Sequence, residues 1–296
     1  MPERDGYIPG VPCWIDTSQP DPQAAADFYG ALFGWELEDV MPPDAPGQYF
    51  MARIRGKDVG AVGSIPEGAP QVATWNTYVW VDSADETASK VRDAGGSVMM
   101  EPFDVMDAGR MAVLSDPEGA VFFAWEARAN KGSQIVNEHG SNNFNNLNTR
   151  DLERAKAFYG AVFGWETLEL DRGAQMWTLP GYGDHLEELS PGLRKGMEEM
   201  GAPKGFEDVV AGVNEIRDDQ PDTPAHWGLT FAVDDADAIA EKATELGGKV
   251  LAPPFDAPWV RMTVIADPQG ATFVASKFVP ENRDLASQSS AAAVGD

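Results

Sequence analysis

The sequence predicts an α+β protein built from two copies of one design, each copy holding two strand–helix–strands modules. Three observations carry this. First, Asp27-Phe-Tyr-Gly-Ala-Leu-Phe-Gly-Trp35 returns as Ala157-Phe-Tyr-Gly-Ala-Val-Phe-Gly-Trp165, seven identities in nine positions at an offset of 130 residues. Chance does not produce that, so the chain is a tandem duplication. Second, Trp75-Asn-Thr-Tyr-Val-Trp-Val-Asp82 aligns with Trp227-Gly-Leu-Thr-Phe-Ala-Val-Asp234 at an offset of 152, and Arg110-Met-Ala-Val-Leu-Ser-Asp-Pro-Glu-Gly119 with Arg261-Met-Thr-Val-Ile-Ala-Asp-Pro-Gln-Gly270 at 151. Third, strand and helix patterns alternate twice within each copy. The offset grows by 152 − 130 = 22 between the first two anchors, which places an insertion in the second copy between Trp165 and Trp227.

In chain order, Cys13-Trp-Ile-Asp-Thr17 reads as a strand. Asp21 is the expected N-cap of the next helix, with Pro22 at its first position. Ala25, Phe28, Tyr29, Leu32 and Phe33 recur at helical spacing, and Gly34 is the expected C-cap. Short strands follow at Tyr49 to Ile54 and Val59 to Val62. Trp75 to Val81 begins the second module, with a helix over Asp82 to Ala94 ending at Gly95-Gly96. Strands follow at Ser97 to Met100, Arg110 to Ser115 and Ala120 to Glu126, the last two joined by the turn Asp116-Pro-Glu-Gly119. The second copy repeats this with the strand Phe144 to Asn148 and the cap Asp151, with Ala155, Phe158, Tyr159, Val162 and Phe163 forming the helix stripe. Its later elements fall at Trp227–Val233, Asp234–Leu246, Lys249–Ala252, Arg261–Ala266 and Ala271–Lys277. Leu193, Met197 and Met200, then Phe206, Val209 and Val210, predict one or two short helices in the insertion, which serves as a lid, as a packing elaboration or as an interface. The expected domains are residues 8–128 and 141–279, with a linker at 129–140, the insertion at about 184–213, and a disordered Ala-, Ser- and Gly-rich tail at 280–296.

Composition bounds the partners. A formal charge of −26 disfavours nucleic acid, which wants a basic face, and disfavours anionic membranes. No run of 18 apolar residues exists, so no membrane helix is expected. The single cysteine, Cys13, excludes an internal disulfide and fits a reducing cytoplasm. Its apolar strand context predicts a buried filler. The first residues, Met1-Pro-Glu-Arg-Asp-Gly, lack the basic and apolar regions of a signal peptide. A cytoplasmic protein with a small-molecule ligand is the expectation, either a monomer with pseudo-dimeric domains or a homodimer.

The motifs Asp-x-x-x-Ala-x-x-Phe-Tyr-Gly-x-x-Phe-Gly-Trp after a first strand, Val-Asp-x-Ala-Asp opening the second helix, the Gly-Gly strand start and Asp-Pro-x-Gly before the last strand resemble the vicinal oxygen chelate superfamily. That group holds glyoxalase I, bleomycin-resistance proteins and extradiol dioxygenases. The Trp-containing form, present twice, resembles actinobacterial two-domain glyoxalase-like proteins. The resemblance covers about Gly10 to Phe278. It implies tandem glyoxalase-like domains, each of two paired βαβββ modules forming an open curled sheet around a pocket. It also implies where metal ligands would stand: Trp14 and Phe144, Asn76 and Gly228, Phe123 and Val274. None of the six is His or a carboxylate, so no metal and no cofactor is expected.

On the inward parity the first copy offers Trp14, Asp16, Asn76, Tyr78, Trp80, Phe123 and Trp125, an aromatic set with small polar handles, suited either to a plain core or to a flat organic ligand. The second offers Phe144, Asn146, Asn148, His226, Gly228, Thr230 and Ser276, which is more polar. Arg110 and Arg261 either orient an anionic ligand or stitch two modules by ion pairs. The expected ligand contacts are Trp14, Asn76, Tyr78, Trp80, Arg110, Phe123, Trp125, Asn146, Thr230 and Arg261. Asp16 and His226 are the candidate acid or base. The function expected is a metal-independent protein that binds or transforms a small hydrophobic, aromatic metabolite. Two alternatives stay open: a ligand-sequestering protein of the antibiotic-resistance type, and a metal-dependent glyoxalase-like lyase or dioxygenase if the strand register differs.

Overall fold

The computed structural model describes residues 3–170 and 174–285. The first copy runs β1 (Pro12–Gln19), α1 (Pro22–Phe33), β2 (Glu36–Asp39), β3 (Tyr49–Ile54), β4 (Lys57–Ser64), β5 (Thr74–Trp80), α2 (Ala84–Asp93), β6 (Ser97–Val105), β7 (Gly109–Ser115) and β8 (Val121–Ala127). The second runs β9 (Ser141–Thr149), α3 (Leu152–Phe163), β10 (Glu166–Glu169), β11 (Gln175–Thr178), α4 (Tyr182–Leu189), α5 (Leu193–Met200), β12 (Val209–Glu215), β13 (His226–Ala232), α6 (Ala236–Glu245), β14 (Lys249–Ala257), β15 (Val260–Ala266) and β16 (Thr272–Phe278). The strands form two sheets of the same order, β2-β3-β4-β1-β5-β8-β7-β6 and β10-β11-β12-β9-β13-β16-β15-β14.

Four βαβββ modules result. In each, the first strand lies parallel to the last, as Asp16 opposite Ala61, Tyr78 opposite Phe123, Asn146 opposite Gly212 and Thr230 opposite Val274 show. A helix between parallel strands is the usual crossover. The caps form as expected: Asp21 and Asp151 accept from the amides of Ala24 and Arg154, and Gly34 and Gly164 take the left-handed conformation that ends each helix. The second helices start later than expected, because Ser83 and Asp235 supply the caps by accepting from the amides of Glu86 and Ala238.

Packing divides the chain into two compact units that cut across the repeats expected at 8–128 and 141–279. One combines the second and third modules, Asn76–Gln134 and Phe144–Gly228, with the segment ending at Trp14. The other combines the first module, Ile15–Trp75, with Ile135–Asn143 and the fourth module from Leu229 onward. The motifs found in the sequence explain why. In the first–fourth unit, the Tyr29 hydroxyl donates to Asp267 at 2.8 Å and accepts from Trp75 Nε1 at 3.2 Å. In the second–third unit, the Tyr159 hydroxyl donates to Asp116 at 3.1 Å and accepts from Trp227 Nε1 at 3.0 Å. The Phe-Tyr-Gly helix of each copy is thus locked to the Asp-Pro-x-Gly turn of the other. Rings fill in around each tyrosine: Phe33 lies 4.7 Å from Phe231, and Phe122 lies 6.2 Å from Phe158 and 5.9 Å from Tyr159. Trp35 donates to the carbonyl of Gly140 and Trp165 to that of Gly10, both at 2.8 Å.

The insertion holds α4, α5 and a 3-10 turn at Phe206–Asp208, but Val209 to Val213 belong to β12 rather than to a helix. Two adjacent valines favour a strand, and β9 needs a parallel partner there. Tyr182 and Leu186 of α4 are buried, and Tyr182 accepts from buried Arg4 at 2.8 Å. Cys13 is buried, as expected of a filler. At the C-terminus Pro280–Asn282 form a 3-10 turn, and residues 286–296 of the expected tail lie outside the described residues.

Candidate ligand-binding face

The second module carries the aromatic set. Tyr78 and Phe123 face each other across β5 and β8, stacked with centroids 4.5 Å apart. Trp125 meets Tyr78 edge-on at 6.2 Å, and its Nε1 donates to the Asn130 carbonyl. Trp80 is opposite Trp125 in the register and lies 6.2 Å from Tyr7. Strand alternation puts Asn76, Tyr78 and Trp80 on this face and sends Thr77 to the other, where its hydroxyl donates to buried Asn145 at 2.9 Å. Trp14 and Tyr78 are buried, while Asn76, Trp80 and Phe123 are half-buried. Gly109 makes room: a Cβ there would come within 2.6 Å of Trp125.

In the first module Asp16 is 5% exposed and accepts from the Tyr49 hydroxyl at 2.9 Å.

A polar row runs from β9 and β12 of the third module to His226 at the start of β13. His226 Nδ1 lies 2.9 Å from the Pro224 carbonyl and Nε2 lies 3.3 Å from Asn148 Nδ2. A carbonyl can only accept, so Nδ1 carries the proton and Nε2 accepts from the amide, an assignment made from the partners. Asn148 also donates to the Asn146 carbonyl and accepts from Asn214 Nδ2, both at 3.4 Å. The fourth module has small side chains where the second has rings. Buried Thr230 stands opposite Val274, and Ala232 opposite Ser276.

The two arginines do not join these faces. Arg110 is bidentate on Asp85 at 2.7 and 3.0 Å and reaches Asp104 at 3.1 Å. Arg261 repeats this with Asp237 at 2.5 and 2.8 Å and Asp256 at 3.1 Å. Each ties its own helix to its own hairpin, so the pairs lie within one module rather than between two. The guanidiniums hold Asp85, Asp104 and Asp237 below the usual carboxylate range. Of the other histidines, His139 accepts from the Asp234 amide and His185 stacks near Tyr182.

The donor set does not fit a divalent metal. Trp14, Phe123, Phe144, Val274 and Gly228 offer no ligand atom on their side chains, and Asn76 offers a neutral amide. Among the described residues no three of His, Cys, Asp or Glu are grouped to hold one. Sequence reasoning did not single out Tyr49 or Asn214. The repeat counterpart of Tyr49 is Ala174, so the duplication does not mark it, and Asn214 follows the segment taken for the insertion. Strand parity applied to Tyr49–Ile54 was the available signal.

The profile of the Glyoxalase/Bleomycin resistance protein/Dioxygenase superfamily matches residues 14–122 and 142–274. The chain is 38% identical over 288 residues to the glyoxylase-like protein CFP32 of Mycobacterium tuberculosis, covering 95% of this chain and 100% of that one. It is 35% identical over 282 residues to the anthracycline biosynthesis protein DnrV of Streptomyces peucetius, covering 90% and 93%. Among solved structures it is similar to the Mn(II)-bound glyoxalase of Novosphingobium aromaticivorans, with a TM-score of 0.58 at 13% identity over 90% of this chain and 82% of that one. The 2,3-dioxygenase LapB of Pseudomonas sp. KL28 also gives 0.58, at 12% identity over 92% and 93%. These two show the fold alone.

Proposed function

The chain belongs to the glyoxalase/bleomycin resistance protein/dioxygenase superfamily, and from that premise we propose that it binds a planar, hydrophobic aromatic small molecule without a metal. The observation that carries this is the aromatic face of the second module, Tyr78, Phe123 and Trp125, beside Asn76 and Trp80. It includes two positions where the resemblance expects metal ligands. Ring faces stack on flat ligands, each good contact adding about 0.5–1.5 kcal/mol beyond area burial. The anthracycline biosynthesis relative supports the class, since anthracyclines are fused planar rings. A cytoplasmic location and the absence of a nucleic-acid partner belong to the same proposal and rest on the acidic charge and the single cysteine.

The test is thermal unfolding and tryptophan fluorescence with an anthraquinone probe. A ligand of the native state raises the unfolding midpoint in proportion to its saturation. The expected result is a shift that a chelator leaves unchanged and that Trp14→Ala weakens by about tenfold or more, roughly one ring contact's worth of affinity. No shift with any planar aromatic, or binding that disappears on chelation, would overturn the proposal.

A further inference from the structure

The segment before β1 holds a buried charge without a countercharge. Arg4 is 9% exposed. Its guanidinium lies 5.0 Å from the centre of the Tyr7 ring, and Nη1 donates to the Tyr182 hydroxyl at 2.8 Å. Among the described residues no carboxylate pairs with it; the groups acting on it are Tyr7 and Tyr182. The acids beside Tyr182 are engaged elsewhere: Asp184 pairs with Arg194 at 2.7 Å, and Asp208 accepts from the Gly183 amide at 2.7 Å. A guanidinium carries five N–H donors and stays charged. Taking it out of water is costly unless it is paired. Among the described residues, the fully buried side-chain atoms left without a partner are Gln19 Oε1, Asn142 Oδ1 and Trp177 Nε1. No nitrogen of Arg4 is among them, so the donors that Tyr182 does not take are open to solvent and to a solute. The same segment rests on the aromatic face. Tyr7 lies 6.2 Å from half-buried Trp80, and a Cβ on Gly6 would stand 3.8 Å from Trp80 Cη2.

The duplication shows that the fold does not require this arrangement. The Gly10 amide donates to the Trp80 carbonyl and the Gly140 amide to that of Ala232. The Val11 amide donates to the Ile8 carbonyl and the Ser141 amide to that of Glu138. The two segments are therefore counterparts at the same offset of 130 residues. Arg4, Tyr7 and Trp80 correspond to Gln134, Asn137 and Ala232, so charge, phenol and indole are replaced together. Tyr182 belongs to α4 of the insertion, which the first copy lacks.

We propose that Arg4 and Tyr182 form an oxyanion site that takes the carboxylate of an aromatic acid whose ring rests on Trp80. The open N–H groups of the guanidinium donate to the carboxylate oxygens, which match its planar fork. The Tyr182 oxygen accepts from Arg4 and its own proton is donated to the ligand. The bound acid supplies the countercharge that the chain omits. The ring of the ligand rests on the function proposed above, whereas the oxyanion site itself does not.

The experiment compares 2-naphthoate with 2-naphthamide, which has the same shape without the charge, by tryptophan fluorescence titration of wild type, Arg4→Met and Tyr182→Phe. Wild type should prefer the acid by about tenfold or more, as for hydrogen bonds between charged groups. Arg4→Met should lose that preference while keeping its affinity for the amide. Tyr182→Phe, which keeps the charge and the ring, should lose part of it. An arginine that only packs the segment would leave the preference unchanged in both variants, which would overturn the site. Should Arg4→Met not fold, Tyr182→Phe decides: a reduced preference supports the site and an unchanged one overturns it. Equal affinity for acid and amide in wild type would overturn the site and leave the aromatic reading standing. Binding of neither probe would overturn the aromatic reading. The oxyanion site would then be decided by thermal unfolding in acetate against chloride at equal ionic strength. A higher midpoint in acetate for wild type but not for Tyr182→Phe supports it, and equal responses overturn it.

Discussion

The second and fourth modules share a backbone and a register yet present opposite faces. Tyr78, Trp80, Phe123 and Trp125 in one stand where Thr230, Ala232, Val274 and Ser276 stand in the other. Even the hairpin compensates, with Gly109 opposite Ala127 beside the large Trp125, and Val260 opposite Phe278 beside the small Ser276. Their other faces hardly differ. Asp116 and Asp267 each gather two turn amides and a tyrosine hydroxyl, and Arg110 and Arg261 each hold two aspartates. The fold is maintained by the helix-side face, which leaves the other face of each module free to take on a separate chemistry.

The largest expected effect tests the helix-side face. Each compact unit takes modules from both copies, so a fragment of residues 1–134 leaves both cores open. It should not fold as a cooperative monomer in circular dichroism and light scattering; it should be unfolded or self-associated. A cooperatively folded monomer would break the comparison.

Next, Asp116→Ala and Asp267→Ala should each destabilise by about 2–4 kcal/mol, by stranding buried donors. Asp267→Ala should be the larger loss, because Asp267 also accepts from Gln19 at 2.7 Å. Urea unfolding ranks the two, and a larger effect at Asp116 would show that the networks are not equivalent.

The compensation at the hairpin is testable by a cycle. Gly109→Val should cost about 1–3 kcal/mol through overpacking against Trp125. Combined with Trp125→Ser, which copies the fourth module, it should cost less than the sum of the single changes by about 1 kcal/mol. Strict additivity would mean that the two positions do not communicate.

A smaller effect concerns pH. Burial raises the proton affinity of Asp116 above the ordinary carboxylate value of 3.8. The folded state then binds more protons than the unfolded one, so this group's stabilising contribution is present below 3.8 and is lost as pH rises through the raised folded value. Asp116→Asn should remove that part of the pH dependence of the urea midpoint. An unchanged profile would assign the dependence to other groups.

The smallest effect is expected at the arginines. Arg110→Met and Arg261→Met should leave the urea midpoint nearly unchanged, as exposed ion pairs do. Both should leave binding of the anthraquinone probe unchanged. A loss of binding at either would restore its reading as a ligand anchor.

Most of the fold was legible because its determinants are local. Asp21 and Pro22 announce a helix start and Gly34 its end, and a seven-in-nine repeat announces a second copy. The aromatic face was legible as well, since a period of two along β5 and β8 sorts Tyr78 from Thr77 without any knowledge of the partner strand. Val209 to Val213 were read as part of the insertion because apolar spacing over a few residues does not separate a helix from a strand. Only the pairing of β12 with β9 decides it.

What the sequence determined by itself was the number of modules, their order and the side of each strand on which a residue lies. At the positions where the resemblance implies metal ligands, the sequence has no carboxylate or histidine. What only the tertiary structure decided was which modules share a core, that Arg110 and Arg261 are held by aspartates of their own modules, and that Tyr49 meets Asp16. The reason is the same in each case. Periodicity and capping are interactions between residues a few positions apart, whereas Tyr29 and Asp267 lie 238 residues apart and Asp16 and Tyr49 lie 33 apart on strands joined only through β4. Contacts at that distance are set by strand register and helix docking, which no short window of sequence contains.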